Sequence, residues 1–350
     1  MKIIVAIDSF KGCLSSIEAN QAAAEGIRRV APHAEVVQVP VSDGGEGFLE
    51  ACHAATGGTL VTVPVRDPLM RPITAQYLLH GNQAVIEMAQ ASGLTLLAPN
   101  ECNPMVATSY GTGQLVAHAV RNGAKHIVVG IGGSATSDAG IGMLKALIEA
   151  FAKHGAWDDI QELKDVSFTI ASDVKNPLCG PNGAAHVFAP QKGATPTQVL
   201  ALDERARKFA QLSARHFGYD RSQMEGAGAA GGLGYAFLQY LNAQCKPGIK
   251  LLLETIGYAS MLQGADMVIT GEGSADHQTL MGKLPMGILE ASKGVPVCLI
   301  AGRISDRDEL LKVGFAKVVC INPQDIALSE ALRKEVAIRH IANKTSELCL

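Results

Sequence analysis

Apolar and polar residues alternate along the first part of the chain in the order typical of a parallel α/β sheet. Residues 3–7 form a continuous apolar run, which predicts a buried strand. Ser15 and Glu18 are spaced as a capping box, so a helix is expected to begin there. Residues 35–39 predict a second strand, and the polar loop at 42–47 precedes another helix. This βαβα order indicates a parallel sheet with helices on its faces.

The pattern changes near residue 59, where short alternating segments replace the longer strand–helix units. Residues 60–65, 73–79 and 84–88 predict three strands joined by an Asp-Pro turn and a Gly-Asn turn. Such closely spaced strands are typical of an antiparallel meander. A strand at 127–131 and a helix behind it then restore the α/β pattern, which indicates a second domain.

The last third of the chain alternates like its beginning, so we expect both chain ends to share one sheet. The predicted fold class is α/β with two domains. One is a Rossmann-like parallel-sheet domain formed by both chain ends, and the other is an inserted α/β domain with an antiparallel meander. The predicted boundaries are 1–58 plus 242–350 for the Rossmann-like domain and 59–241 for the inserted domain, with the active site in the cleft between them.

Composition and charge exclude several classes of protein. The 350 residues are 47% hydrophobic and 18% charged, as in an ordinary folded protein, and the net charge of −3 favours neither nucleic acid nor an anionic membrane as partner. The eight cysteines form no C-x-x-C pair, which argues against a zinc ribbon. The apolar start ends at Asp8, too early for a signal peptide, and no apolar run approaches a membrane span. We therefore predict a cytoplasmic protein.

The most informative stretch is the loop at 130–138, which follows an apolar run and precedes a helix. Glycines let backbone N–H groups approach an anion closely, and a helix N-terminus adds positive potential. The backbone of Gly132, Gly133, Ser134 and Thr136 is therefore a candidate cradle for a phosphate. The same order of strand, Gly-rich polar loop and helix recurs along the chain, which indicates a phosphorylated ligand.

Carboxylates and lysines lie in loops at or near the predicted strand ends. Asp8 and Lys11 follow the first strand, and ligands bind at that edge of open parallel sheets. Asp43 lies in the 42–47 loop, where helix capping is the competing role. Asp173 and Lys192 lie in later loops, where each residue taken singly is more typical of a turn.

Residues 271–279 combine glycines with two carboxylates, and Gly282-Lys283 follows shortly. Gly271 and Gly273 are candidates for close approach to a nucleotide, and Asp276 and Lys283 for catalysis. The segment is not a Walker A motif, because the glycine, lysine and hydroxyl spacing is absent. Kinase chemistry here would not be of the P-loop class.

Residues 226–231 match the G-x-G-x-x-G pattern, which raises the alternative of a dinucleotide-dependent oxidoreductase. That fingerprint needs a strand directly before it, and residues 222–225 are not a convincing strand. Close helix packing or a phosphate-facing turn explains the glycines as well.

Taken together, these motifs resemble the type-1 glycerate kinase family. The resemblance implies ATP-dependent phosphorylation of D-glycerate to 2-phosphoglycerate by an enzyme of two α/β domains. The matching segments, in family order, are residues 8–12, 43–47, 107–113, 130–138, 176–178, 190–194, 226–234 and 271–273, followed by Asp276, Gln278, Thr279, Gly282 and Lys283.

This chain departs from the family pattern at a few positions. Relatives usually carry Asp where it has Lys175, Arg where it has Ser274, Asn where it has Ser137 and Pro where it has Ile7. The first two changes alter the charge expected of a phosphate or carboxylate pocket. A kinase of a related hydroxy acid and a binding protein without turnover therefore stay open as alternatives.

The resemblance also implies ATP and a small-molecule substrate as ligands. Phosphoryl transfer further predicts Mg²⁺, and a homodimer is one option for the assembly. Phosphoryl transfer depends mainly on positioning and electrostatics. The candidate charge partners are Lys11, Lys192 and Lys283; the candidates for base or metal ligand are Asp43, Asp173 and Asp276; and Asp8 joins Asp173 as a candidate Mg²⁺ ligand. The sequence leaves the role of each carboxylate open.

Overall fold

A computed structural model describes residues 1–10, 12–280 and 284–349, with the side chain of Gln278 outside the description. The strands are β1 (Lys2–Ile7), β2 (Glu35–Gln38), β3 (Thr59–Arg66), β4 (Pro72–His80), β5 (Gln83–Glu87), β6 (His126–Gly130), β7 (Ser167–Ala171), β8 (Gln244–Lys246), β9 (Met267–Ala275), β10 (Val297–Ile304) and β11 (Lys317–Cys320).

The α-helices differ widely in length. They are α1 (Ser16–Val30), α2 (Phe48–Thr56), α3 (Ala89–Ser92), α4 (Tyr110–Arg121), α5 (Ile141–Phe151), α6 (Ala184–Phe188), α7 (Pro196–Phe217), α8 (Ala229–Leu241), α9 (Gly248–Thr255), α10 (Tyr258–Met261), α11 (His277–Leu280), α12 (Leu284–Ala291), α13 (Arg307–Lys312), α14 (Leu328–Ala331) and α15 (Lys334–Leu348). No helix of the described residues is long and apolar enough to cross a membrane.

The chain divides into two compact units, each with its own sheet. Unit 1 comprises Met1–Asp43, Glu50–Ala55 and Ile249–Leu350, and unit 2 comprises Gly44–Leu49 and Thr56–Gly248.

Unit 1 is built on a parallel sheet in the order β11-β10-β9-β1-β2. Its core includes Ile3, Val5 and Ile7 of β1, which are fully buried, as the apolar run predicts. The predicted capping box is confirmed, because Ser15 accepts from the backbone N–H of Glu18, whose side chain accepts from the backbone N–H of Ser15. The α/β class is thereby confirmed for this part of the chain.

Unit 2 is built on a mixed sheet in the order β3-β4-β5-β6-β7-β8. Strands β3, β4 and β5 pair antiparallel, which confirms the predicted meander. The later strands are parallel, starting with the pairing of β5 and β6. The short edge strand β8 was not predicted, since three residues are too few to show a period.

Strand β9 is longer than its sequence predicts. A strand over 267–270 followed by a loop was expected, but β9 continues through Ala275 and pairs with β10 as far as Ile304. At Gly271 a side chain would place its Cβ 2.5 Å from the carbonyl oxygen of Ile300. The glycine therefore allows close strand packing within the sheet.

Candidate active site

The carboxyl ends of β1, β9 and β10 in unit 1 surround a cavity of about 450 Å³. The predicted residues Asp8 and Asp43 both line it, together with Gly273. Glu272 also lines it, although sequence analysis did not single it out as a site residue. The structure thus brings three carboxylates to the edge where open parallel sheets bind ligands.

Asp8 directly follows β1 and is held by two hydrogen bonds. Its backbone N–H donates a 2.9 Å hydrogen bond to the carbonyl oxygen of Gly271. Its Oδ1 accepts a 2.7 Å hydrogen bond from the N–H of Ser9. These contacts fix the carboxylate at the sheet edge. The predicted charge partners Lys11 and Lys283 lie outside the described residues.

Glu272 is 7% exposed and accepts a 2.6 Å hydrogen bond from the Oγ1 of Thr279. The same hydroxyl oxygen accepts from the backbone N–H of Asp276 at 3.0 Å. Thr279 therefore links the end of β9 to the first turn of α11. Asp276 itself is not among the described residues that line the cavity. The signal that could have singled out Glu272 is a carboxylate within the strand sequence Ile-Thr-Gly-Glu-Gly.

Lys192 is the buried cation of unit 2. Its ammonium group donates hydrogen bonds of 2.7 Å to the Oγ of Ser134 and 2.7 Å to the carbonyl oxygen of Thr136. Burial lowers the pKa of Lys192 to about 7, although the nearby Asp138 carboxylate acts in the opposite direction. The structure therefore joins one predicted lysine to the predicted 130–138 loop.

Two backbone N–H groups of the 130–138 loop, one of them from the predicted cradle residue Gly132, make hydrogen bonds within unit 2. The N–H of Gly132 donates to the carbonyl oxygen of Gly44 at 3.1 Å, and the N–H of Ala135 donates to that of Ser92 at 2.9 Å. These two donors are therefore used inside unit 2. A side chain at Gly132 would also lie 2.5 Å from the Cα of Gly45, so close packing of two loops explains that glycine.

Asp138 occupies the N-terminus of α5, where a phosphate was expected. Its carboxylate accepts from the N–H groups of Gly140 (3.0 Å) and Gly142 (3.1 Å). It also accepts from both the N–H and the hydroxyl of Ser109, at 2.8 and 2.9 Å. The protein's own carboxylate thus satisfies these helix donors, and its bonds to Ser109 join the start of α5 to a distant loop.

The glycines at 226–234 serve close packing, which is one of the two explanations expected from sequence. A side chain at Gly231 would lie 2.0 Å from the carbonyl oxygen of Thr136, and one at Gly228 would lie 2.3 Å from that of Pro177. No strand directly precedes the motif in the described chain, since residues 222–225 form a turn. The dinucleotide fingerprint therefore lacks its structural context.

Two further carboxylates lie in loops or at strand ends of unit 2. Asp173 follows β7, and its Oδ1 accepts a 3.1 Å hydrogen bond from the N–H of Gly248. Glu87 ends β5 and accepts a 3.0 Å hydrogen bond from the N–H of Leu49. Burial raises the pKa of Glu87, with Glu46 acting in the same direction. Sequence analysis missed Glu87, although an acid within an apolar strand was a signal for it.

The predicted Mg²⁺ site depends on two separate carboxylates, those of Asp8 and Asp173. Among the described residues, no group of three or more His, Cys, Asp or Glu side chains is gathered so that it could hold a metal ion. Mg²⁺ commonly uses only one or two carboxylates and completes its shell with water and substrate phosphates. The carboxylate oxygens of Asp8 and Asp173 fit that mode of binding, and their pairing on one ion stays a prediction.

A buried lysine bonded to a polar loop and carboxylates at strand ends are groups that phosphoryl transfer can use. Comparisons with known proteins identify the family. Residues 3–349 match the model of the glycerate kinase family. The chain is 42% identical to the glycerate kinase of Bacillus subtilis, over 95% of this chain and 93% of the relative.

A glycerate 2-kinase of Escherichia coli K12 is 39% identical over 87% of this chain and 86% of the relative. A crystal structure of a provisionally named glycerate kinase 2 from Salmonella typhimurium LT2 has a TM-score of 0.84 at 37% identity, covering 100% of this chain and 97% of that one. The chain belongs to the glycerate kinase family. Both of these curated relatives are named as glycerate kinases, and the oxidoreductase alternative has no support.

Proposed function

We propose that this protein transfers the γ-phosphoryl group of ATP to D-glycerate and releases ADP and 2-phosphoglycerate. The observation that carries the proposal is the family match over residues 3–349. The relative from Escherichia coli is named as a 2-kinase, which supports position 2 of glycerate as the acceptor hydroxyl.

The two units supply groups that suit this reaction. A loose phosphoryl-transfer transition state needs positioned oxygens and nearby positive charge more than covalent chemistry. Lys192 supplies a cation beside the 130–138 loop, because its ammonium group is hydrogen-bonded to Ser134 and Thr136. A bound anion would favour its charged form, because the ammonium group is otherwise penalised by burial.

Asp8, Asp43, Glu272 and Asp276 are our candidates for orienting the acceptor hydroxyl and taking its proton. A carboxylate base acts here mainly through position, because the proton moves late in such a transition state. Mg²⁺, when bound, would neutralise charge on the phosphate oxygens, with Asp8 or Asp173 as the protein ligand. That the groups of both units face one cleft stays a prediction.

The test is product analysis with the purified protein. We expect ADP release from Mg-ATP and D-glycerate, and a phosphorus NMR signal from 2-phosphoglycerate rather than 3-phosphoglycerate. L-glycerate and glycolate serve as comparison acceptors, since a kinase of a related hydroxy acid would prefer one of them. No ADP with any acceptor, despite ATP binding by calorimetry, would favour a binding protein without turnover.

A further inference from the structure

Arg303 and Ser274 are neighbours on adjacent strands. They are register partners in the parallel pairing of β10 with β9, and both line the cavity of unit 1. Paired residues of neighbouring strands project to the same face of the sheet, and the strands lie about 4.8 Å apart. An arginine at either position therefore reaches the same part of this cavity.

The charges around the cavity give Arg303 a function. The described lining residues include three carboxylates, those of Asp8, Asp43 and Glu272, and Arg303 is the only Lys or Arg among them. An anionic reactant placed beside these carboxylates is repelled unless a cation faces it.

Arg303 is available for that contact. Its side chain is exposed, and it makes no hydrogen bond or ion pair with any described residue. Ser274, by contrast, is a neutral hydroxyl where the family resemblance implies an arginine. A cation is thus missing at one strand position and present at its register partner.

We propose that Arg303 supplies, from β10, a guanidinium to the part of the cavity that its register partner Ser274 on β9 also lines. It binds an oxyanion of the reactants, either the carboxylate of the hydroxy acid or a phosphate of the nucleotide. A guanidinium suits both, because its planar fork forms two parallel hydrogen bonds to either group. The inference rests on the proposed function and adds a binding residue to it.

The experiment exchanges the arginine between the two strands. We compare Arg303→Ser, Arg303→Lys and the double variant Arg303→Ser/Ser274→Arg, measuring KM for D-glycerate and for Mg-ATP separately. Arg307→Ser is the matched control, since Arg307 is an exposed arginine of the same unit that does not line the cavity. Thermal unfolding of each variant reports its folded state, and Arg303→Gln replaces Arg303→Ser if the serine variant does not fold.

Loss of a charge-assisted contact predicts a rise of roughly 10- to 100-fold in one KM for Arg303→Ser. The lysine variant should lie between wild type and serine, the double variant within about 3-fold of wild type, and the control unchanged. A raised KM for D-glycerate identifies the carboxylate as the bound group, and a raised KM for Mg-ATP identifies the phosphate.

Two results would overturn the inference. One is an unchanged KM for both reactants in Arg303→Ser, and the other is a double variant that is no better than Arg303→Ser. If wild type forms no ADP, the proposed function fails separately. Calorimetric binding of D-glycerate and of a non-hydrolysable ATP analogue then tests Arg303 by the same comparisons.

Discussion

The ammonium group of Lys192 donates a 2.7 Å hydrogen bond to the Oγ of Ser134, although 58 positions separate the two residues along the chain. Both are buried, and Lys192 is 3% exposed. A lysine in such a place is costly unless its charge is used, because burial disfavours the protonated form. The contact therefore predicts effects on both stability and activity.

The burial of Lys192 predicts a pH-dependent contribution to stability. Its pKa is about 7 in the folded chain against an ordinary value of 10.5, so between these limits the unfolded chain binds more protons. The stability of wild type relative to Lys192→Met should rise with pH in this window, by up to about 1.4 kcal/mol per pH unit. Below pH 7 the difference in unfolding free energy between wild type and Lys192→Met should be constant. Urea unfolding from pH 6 to 9 measures this difference, and a difference that stays level above pH 7 would contradict the pKa.

Lys192 is also expected to matter for turnover. Lys192→Met should lower kcat/KM by about 100-fold, because a buried cation beside developing phosphoryl charge contributes several kcal/mol. The exposed Lys153 supplies the control, and Lys153→Met should behave as wild type. Comparable rates in the two variants would remove Lys192 from the site.

Asp43 and Asp276 are expected to act in the reaction rather than in folding. Asp43→Asn and Asp276→Asn should each lower kcat by at least about 100-fold while the protein melts normally. Asp308→Asn, on the exposed first turn of α13, is the matched control. Steady-state rates and circular dichroism melts decide the matter, and wild-type rates in either variant would exclude that carboxylate.

Asp138 should have the opposite profile, since its carboxylate satisfies donors of Ser109, Gly140 and Gly142. Asp138→Ala leaves these buried donors without an acceptor and should cost at least about 3 kcal/mol of unfolding free energy. Asp165→Asn, at an exposed position, should change little. Urea denaturation of both variants is the measurement, and equal midpoints would refute the capping role.

Substitution of Gly231 distinguishes the effect of close packing from the effect of the backbone φ angle. Gly231 and Gly218 have similar φ angles of +66° and +76°, but only at Gly231 would an added Cβ meet backbone, 2.0 Å from the carbonyl oxygen of Thr136. Gly218→Ala should therefore cost about 1 kcal/mol. Gly231→Ala should cost at least about 3 kcal/mol, because the helix must move away from the loop. Similar losses in thermal stability would mean that the φ angle alone requires glycine.

Features encoded over a few residues could be predicted from the sequence. The Ser15–Glu18 capping box and the meander of β3, β4 and β5 depend on local spacing, and the structure confirms both. The ordered set of motifs predicted the family. The elements that were wrong or missed depend on partners elsewhere, such as the extension of β9 along β10.

The candidate site was harder to predict for the same reason. A lysine in a loop looks like a turn residue until its partners 58 and 56 positions away are known. Asp138 ends the predicted phosphate loop, and only its donors from Ser109 show that this carboxylate is used within the protein. Residue types therefore indicate the chemistry, whereas burial and distant partners decide which groups remain for a ligand.

The discontinuous path of unit 1 has a consequence for synthesis on the ribosome. Strand β1 pairs with β9, and more than 250 residues are translated between them. The central segment Thr56–Gly248 leaves the ribosome before β9 and β10 do. Asp8 and Arg303 can therefore meet around their cavity only after the whole central segment has been translated. A chain that stops before β9 would lack three of the five strands of the unit 1 sheet, and with them the wall of the cavity that carries Arg303.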